Sequence, residues 1–159
     1  MAIDPGTRIG HVHLTVADLE RSLRFYRDVL GFEETARYGR DAVFLAAGGY
    51  HHHIGLNTWA GRGAPAPPPG TTGLYHFAIL YPDRARLADV LRRLRAAGVP
   101  LEGAADHGVS EALYLRDPDG NGVELYCDRP EGAWPRSPDG TIAMHTRPLD
   151  VERLLAGTD

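Results

Sequence analysis

Apolar positions in the first sixty residues predict a strand, a helix and then three more strands. Residues 9–17 alternate between polar and apolar side chains, as a half-buried strand does. Apolar side chains then recur every three or four positions over 19–30, which is helical spacing. Asp18 stands at the N-cap position of this helix and Gly31 can end it. Short runs with strand-forming character follow at 33–38, 42–47 and 51–57.

The same order of elements returns in the second half of the chain. Residues 74–81 form an apolar strand pattern, Asp83 precedes a helix that Gly98 can close, and further strands are predicted near 99–103, 112–116 and 122–127. His11 and Asp18 recur as His76 and Asp83, with an offset of 65 residues in both cases (76 − 11 and 83 − 18). We therefore predict an internal repeat of two βαβββ units.

The boundaries of this repeat follow from the composition of the connecting segments. We expect a single α+β domain over 1–159, with the first unit at 8–59, a Gly/Pro linker at 60–72, the second unit at 73–130 and a tail at 131–159 that carries a short helix. The sheet of each βαβββ unit has one face that its own helix does not cover. Two such sheets facing each other would close a partial barrel.

Composition narrows the class of protein without deciding its chemistry. The hydrophobic share of 43% and the charged share of 24% are ordinary for a globular domain, and the net charge of −4 gives no reason to expect nucleic acid or an anionic membrane as partner. No apolar run approaches the length of a membrane span, and the first ten residues lack a signal-peptide pattern. A single cysteine, Cys127, fits a reducing compartment. We expect a cytoplasmic protein.

The stretch from His107 to Arg129 carries the strongest chemical pattern. Two apolar runs flank the turn sequence Asp-Pro-Asp-Gly-Asn-Gly at 117–122, which predicts a hairpin. Glu124 lies within the second run, where a buried carboxylate would need a cation, a metal ion or water as its partner. Taken alone, an edge-strand glutamate that faces solvent is the commoner explanation of this pattern.

The spacing in this stretch resembles the signature of extradiol ring-cleavage dioxygenases. That signature contains a His, an aliphatic residue and Tyr, then Asp-Pro-x-Gly and a Glu, and it is met by His107, Leu113-Tyr114, 117–120 and Glu124. Ala105 departs from the residues usual two places before the His. The repeat and the opening segment HVHLTVADLERSLRFYRDVLGF resemble the vicinal oxygen chelate superfamily over residues 8–130.

The resemblance implies a metal site. In that superfamily the ligands match His11, His76 and Glu124, and two imidazoles with one carboxylate form the facial triad that suits Fe(II), with Mn(II) as the alternative. His13 lies on the same strand face as His11 and is the competing candidate. Each histidine taken alone is better explained as an ordinary strand or core residue, and only the three positions together favour the metal.

The resemblance also implies catalytic side chains around the metal. The acid–base histidine of extradiol enzymes opens a His-x-apolar-small-apolar strand, which matches residues 52–56 and assigns His52. The register within His51-His52-His53 stays open, because neighbouring strand residues point to opposite faces. His107 and Tyr114 would hold substrate oxygens by hydrogen bonds. Tyr114 as a plain lining residue is the alternative.

We therefore expect an extradiol dioxygenase of aromatic catabolism that cleaves a catechol-like diol with dioxygen, with a homodimer as one assembly. One alternative is an isomerase or lyase like glyoxalase I. Its pattern needs an acidic or amide ligand on the last strand of the first unit, where this chain has histidines and Asn57. A second alternative is a metal-free drug-binding protein like the bleomycin-resistance proteins, which lack the ligand triad.

Overall fold

A computed structural model describes residues 2–158, so the two end residues of the predicted domain 1–159 lie outside the described part. The chain divides into two compact units, Met1–Ala66 and Pro67–Asp159, and the division falls inside the predicted linker 60–72. Each unit contains one βαβββ motif. The α+β class and the repeated motif predicted from the sequence are confirmed.

The first unit is a four-stranded sheet with one helical segment. Its strands are β1 (Val12–Thr15), β2 (Glu33–Tyr38), β3 (Ala42–Ala46) and β4 (Ile54–Asn57), in the order β1-β4-β3-β2. The helix α1 (Leu19–Leu23) continues as a π-helix over Arg24–Val29. The carboxylate of Asp18 accepts a hydrogen bond from the backbone N–H of Arg21, so Asp18 caps the helix as its side chain predicts.

The second unit repeats this arrangement and adds to it. Strands β5 (Phe77–Leu80), β6 (Gly103–Asp106), β7 (Ser110–Arg116) and β8 (Gly122–Asp128) are joined by β9 (Arg147–Pro148), in the order β5-β8-β7-β6-β9. The helix α2 (Arg84–Ala96) is capped by Asp83, whose carboxylate accepts from the N–H of Arg86. A 3₁₀ turn at Glu131–Ala133 and the short helix α3 (Val151–Ala156) belong to the tail.

The two faces of the second sheet differ sharply. Leu113, Leu115, Val123 and Leu125 are buried on one face, and the apolar side of α2 is buried as well. The face that carries Tyr114 and Glu124 instead presents small residues on all four long strands, namely Ala78, Gly103, Ala105, Ala112 and Gly122. Small side chains beside a few large polar ones leave a hollow on that face.

The Asp-Pro-Asp-Gly-Asn turn is organised by the buried carboxylate of Asp117. Its oxygens accept hydrogen bonds from the backbone N–H groups of Asp119 and Asn121, at 2.9 and 2.8 Å, and from the side-chain amide of Asn121 at 2.9 Å. Gly120 has a φ of 84°, a conformation that favours glycine. This part of the signature therefore fixes the register of β7 against β8, which places Tyr114 directly opposite Glu124.

The structure corrects two predicted strands. The strand predicted at 99–103 begins only at Gly103, and Pro100, within the predicted range, has no N–H to donate to a sheet. The strand predicted at 51–57 begins only at Ile54, so the three consecutive histidines lie in the turn before β4 and not in the strand itself. Of the three, only His53 keeps strand-like backbone contacts, because its N–H donates to the carbonyl of Leu45 and its carbonyl accepts from the N–H of Val12.

The tail from residue 131 packs on the second unit. β9 pairs with β6 at the edge of the sheet, and α3 contacts α2 through an ion pair between Glu152 and Arg95, 2.6 Å apart. The carbonyl of Leu155 accepts from Arg92 at 2.7 Å. Over residues 2–158, no helix combines the length and the apolar character that crossing a bilayer requires.

Candidate metal centre

Two of the predicted metal ligands, His76 and Glu124, are in contact in the second unit. His76 immediately precedes β5, and Glu124 lies on β8, which pairs with β5 in parallel. Nε2 of His76 and Oε2 of Glu124 are 2.9 Å apart, and their side chains are 32% and 13% exposed. The nearly buried carboxylate of Glu124 thus has the imidazole of His76 beside it, on the sheet face that carries Tyr114.

This spacing fits ligation of one ion by both side chains. Imidazole nitrogen and carboxylate oxygen bind first-row divalent metals at about 2.1 Å, so two ligands at right angles lie about 3.0 Å apart. The observed distance of 2.9 Å agrees with that value. Without a metal the same contact serves as a hydrogen bond, provided that Nε2 of His76 carries the proton.

Tyr114 and His107 extend this pair into a chain of four polar side chains. The hydroxyl of Tyr114 lies 3.2 Å from Oε1 of Glu124 and 2.7 Å from Nε2 of His107. Partial burial, reinforced by the negative charge of Glu124, raises the pKa of Tyr114 to about 12. The phenol therefore keeps its proton at neutral pH and can donate it in a hydrogen bond.

A cleft of 440 Å³ opens beside these residues. His76, His107 and Tyr114 line it, together with the ion pair between Arg116 and Glu102 and with Thr146 from the tail. No local pattern points to Thr146, because its approach depends on the pairing of β9 with β6. Of the residues predicted from the signature, His107 and Tyr114 line this cleft, and Glu124 contacts Tyr114.

Gly122 allows the close approach of His76. A Cβ at this position would collide with the carbonyl oxygen of Tyr75 and would lie 3.0 Å from Cβ of His76. Gly122 follows the signature turn and pairs with Arg116 on the neighbouring strand. Its lack of a side chain lets His76 and the start of β5 lie close against β8.

The first unit brings together His11 and His52. Their ring centroids are 4.4 Å apart, and Phe44 contacts the ring of His52 at 5.1 Å. Nδ1 of His52 also lies 2.7 Å from Nδ1 of His51. Burial, followed by the proximity of His11, holds the pKa of His52 below its usual value. Like His76, His11 stands one residue before the first strand of its unit.

The competing histidines have different surroundings. Nδ1 of His53 accepts from the backbone N–H of Ala47 at 3.3 Å, and its ring packs on Tyr50. The ring of His13 lies over Gly55, where an added Cβ would be 2.9 Å from it, and beside Trp59 with centroids 5.6 Å apart. Burial and the neighbouring His11 lower the pKa of His13.

The predicted site residues thus fall into two groups, one in each unit. His11 and His52 belong to the first unit, whereas His76, His107, Tyr114 and Glu124 belong to the second. Within either unit, over the residues that the structure describes, no three His, Cys, Asp or Glu side chains gather as a metal-binding group. The triad of His11, His76 and Glu124 takes its ligands from both units and stays a prediction.

Comparison with known proteins assigns the family. Residues 8–125 match the model of the Glyoxalase/Bleomycin resistance protein/Dioxygenase superfamily, and the chain belongs to that superfamily. The chain is 45% identical over 155 residues to catechol-2,3-dioxygenase of Bacillus subtilis, covering 97% of this chain and 53% of the relative. It is 37% identical over 129 residues to biphenyl-2,3-diol 1,2-dioxygenase 3 of Rhodococcus globerulus, covering 80% and 66%. The chain thus spans between half and two thirds of the length of these relatives.

Two more distant relatives are named for their metals. The manganese-dependent 2,3-dihydroxybiphenyl 1,2-dioxygenase of Geobacillus genomosp. 3 is 29% identical, covering 84% of this chain and 39% of the relative. The iron-dependent extradiol dioxygenase of Rhodococcus jostii is 30% identical, covering 76% and 43%. Among solved structures, lactoylglutathione lyase from Agrobacterium tumefaciens is similar at a TM-score of 0.59, with 29% identity over 78% of this chain and 96% of that one.

Proposed function

We propose that this protein is a metal-dependent extradiol dioxygenase that opens the ring of a catechol-like aromatic diol with dioxygen. The observation that carries the proposal is the chain of contacts His76–Glu124–Tyr114–His107 along one cleft. This chain combines two side chains of the kinds that bind metals, His76 and Glu124, with two that can hold or exchange a proton, Tyr114 and His107. Catechol-2,3-dioxygenase of Bacillus subtilis and biphenyl-2,3-diol 1,2-dioxygenase 3 of Rhodococcus globerulus, both named as diol dioxygenases, support the same activity.

His11 is the third ligand in this proposal. It is the repeat equivalent of His76, since Val12 pairs with Ile54 as Phe77 pairs with Val123, and each histidine stands one residue before its strand. Two imidazoles and one carboxylate leave open positions on an octahedral ion, as a diol and dioxygen require. Relatives named for iron and for manganese support either metal.

The register of the two sheets argues against the isomerase alternative. His13 pairs with Gly55 in the first unit as Ala78 pairs with Glu124 in the second. The position that is equivalent to Glu124 therefore carries glycine, and the ring of His13 fills the space above it. A fourth ligand of the kind that glyoxalase I-like enzymes require is missing from that position.

His52 is the proposed acid–base residue. Its ring lies against His11, whereas the ring of His53 packs on Tyr50, so His52 is the member of the histidine run that accompanies the candidate ligand. An imidazole can accept a phenolic proton and return it near neutral pH. His52 would take a proton from the diol as it binds, and Tyr114 and His107 would hold the oxygen atoms by hydrogen bonds.

A divalent iron or manganese ion held by the triad would supply the redox and charge-stabilising chemistry that joins a diol to dioxygen. The small residues around Glu124 leave room for a flat ring on the open face of the second sheet. Cys127 is buried and has no disulfide partner in the sequence, which is consistent with the cytoplasmic location that we propose.

Oxygen uptake tests the proposal. The chain is reconstituted without oxygen with Fe(II), Mn(II) or Zn(II) and then mixed in air with a panel of catechols, including biphenyl-2,3-diol. We expect oxygen consumption and a yellow ring-opened product with iron or manganese, and neither with zinc, which has no redox chemistry. Turnover of a methylglyoxal–thiol adduct, together with no oxygen uptake for any catechol, would establish the isomerase alternative in its place.

A further inference from the structure

The tail segment 143–148, here called the strap, lies across the back of His107. The N–H of His145 donates to the carbonyl of His107 at 3.2 Å, and β9 continues the strap along β6 by pairing Arg147 with Asp106. The N–H of Ala143 donates to the carbonyl of Pro135 at 2.8 Å, which ties the other end of the strap to the tail. The strap is thus held by backbone hydrogen bonds on both sides of His145.

The strap supplies two polar groups to the Nδ1 side of His107. The carbonyl oxygen of His145 lies 3.0 Å from Nδ1, and the hydroxyl of Thr146 lies 3.3 Å from it. A carbonyl oxygen accepts hydrogen bonds and cannot donate them, so Nδ1 must carry the proton in this contact. The neutral ring then has its lone pair on Nε2, which faces Tyr114 at 2.7 Å.

We propose that the strap sets the tautomer of His107, so that Nε2 is the only proton acceptor that the ring offers to Tyr114 and the cleft. The role of the strap in turnover rests on the proposed dioxygenase function. The assignment of the His107 tautomer rests on the hydrogen bonds alone. His107 is the residue that meets Tyr114, and the strap acts only as a positioning element behind it.

This arrangement decides where the single phenolic proton of Tyr114 goes. When His107 is neutral, the hydroxyl of Tyr114 donates to Nε2, and its 3.2 Å contact with Glu124 holds no proton. When Nε2 gains a proton, the imidazolium donates to the oxygen of Tyr114 and to the carbonyl of His145. The hydroxyl can then turn and donate to Glu124. A proton that enters at Nε2 thus reorients one O–H without charging Tyr114.

Gly108 gives a way to disturb the strap. A Cβ at this position would lie 2.6 Å from Cε1 of His145 and 2.8 Å from Cγ of Pro135, so Gly108→Ala pushes against the strap. Gly108 also has a φ of 76°, which strains any alanine. Gly140 is the matched control, because its φ is 85° and nothing lies within 4 Å of its Cβ position.

The tautomer is measured by ¹⁵N NMR of the 159-residue chain, labelled at histidine and freed of paramagnetic metal. The His107 signals are assigned by their loss in His107→Gln. We expect wild type and Gly140→Ala to show a protonated Nδ1 and an unprotonated Nε2. Gly108→Ala should shift a measurable fraction to the opposite tautomer. With metal restored, its turnover should fall about tenfold or more below that of Gly140→Ala at equal metal content.

A protonated Nε2 in the neutral ring of the wild-type protein would overturn the proposal, and this measurement needs no variant. A wild-type tautomer in folded Gly108→Ala would also overturn it. Failure of the dioxygenase assay alone leaves the NMR result intact, so the two proposals can fail separately.

Discussion

Gly122→Ala should weaken metal binding although it replaces no ligand. The new Cβ would lie 3.0 Å from Cβ of His76 and would collide with the carbonyl of Tyr75. Carbon atoms pack at about 3.5–4.0 Å, so His76 must move by about 0.5–1 Å relative to β8. Its Nε2 atom now lies 2.9 Å from Glu124, close to the spacing of two ligands on one ion, and the shift would spoil that spacing.

The expected losses of metal affinity and of folding free energy in Gly122→Ala can be taken from comparable substitutions. Loss of a group that orients a metal ligand typically costs 10–100-fold in affinity, so we expect the dissociation constant for Fe(II) or Mn(II) to rise by roughly that factor. Overpacking of this kind costs about 1–3 kcal/mol of folding free energy. Titration of the metal-free chain with Mn(II), followed by electron paramagnetic resonance, measures the affinity. Denaturant unfolding of the metal-free chain measures the free energy.

Gly103→Ala is the matched control for this prediction. Gly103 lies on the same face of the same sheet, opposite Tyr114, and nothing lies within 4 Å of its Cβ position. Its metal affinity should stay within about twofold of wild type, since no ligand has to move. An affinity of Gly122→Ala that matches that of Gly103→Ala would refute the role of Gly122 in placing His76.

Three further predictions concern single side chains. His52→Phe should keep its metal but lose turnover by roughly 10²–10⁴-fold, whereas His53→Phe should stay near wild type in steady-state assays; the reverse pattern would assign the acid–base role to His53. Burial raises the pKa of Tyr81 to about 12, above the value near 10 of the unfolded chain, so the unfolded chain releases this proton first as pH rises. Stability should therefore fall between about pH 10 and 12 in urea titrations, and Tyr81→Phe should fall less steeply. Burial also raises the pKa of Cys127 to about 11, so the native chain should resist alkylation at pH 8 and react only once it is unfolded; rapid labelling of the folded protein would contradict the buried position.

Local sequence patterns were sufficient for the repeated fold. Asp18 and Asp83 cap their helices because a short carboxylate can accept from a backbone N–H three residues on, and that geometry depends only on neighbouring residues. Gly31 and Gly98 adopt positive φ just after their helical segments, as glycine permits. The π-helical continuation of α1 was not predicted, since apolar spacing does not separate it from an α-helix.

The site was predictable only in part. His107, Tyr114 and Glu124 lie close together in the sequence. The register of β7 against β8 sets Tyr114 opposite Glu124, and His107, in the turn between β6 and β7, lies 2.7 Å from the hydroxyl of Tyr114. The strap could not be predicted, because the contact of His107 with His145 joins residues 38 positions apart, and neither residue belongs to an apolar pattern. The buried Glu111 is likewise paired with Arg84 and Arg129 by tertiary packing alone. Such contacts depend on the fold and leave no local signal.

The metal content of ligand variants shows whether His11, His76 and Glu124 bind the metal ion. His11→Ala, His76→Ala and Glu124→Gln are purified without tags, loaded with Fe(II) under exclusion of oxygen, passed through a desalting column and analysed for metal beside wild type and His13→Ala. We expect about one ion per chain in wild type and His13→Ala, and loss of most of that ion in the other three variants while each remains folded. Full occupancy in His11→Ala together with loss in His13→Ala would move the third ligand to His13, and full occupancy in all three variants would contradict the site.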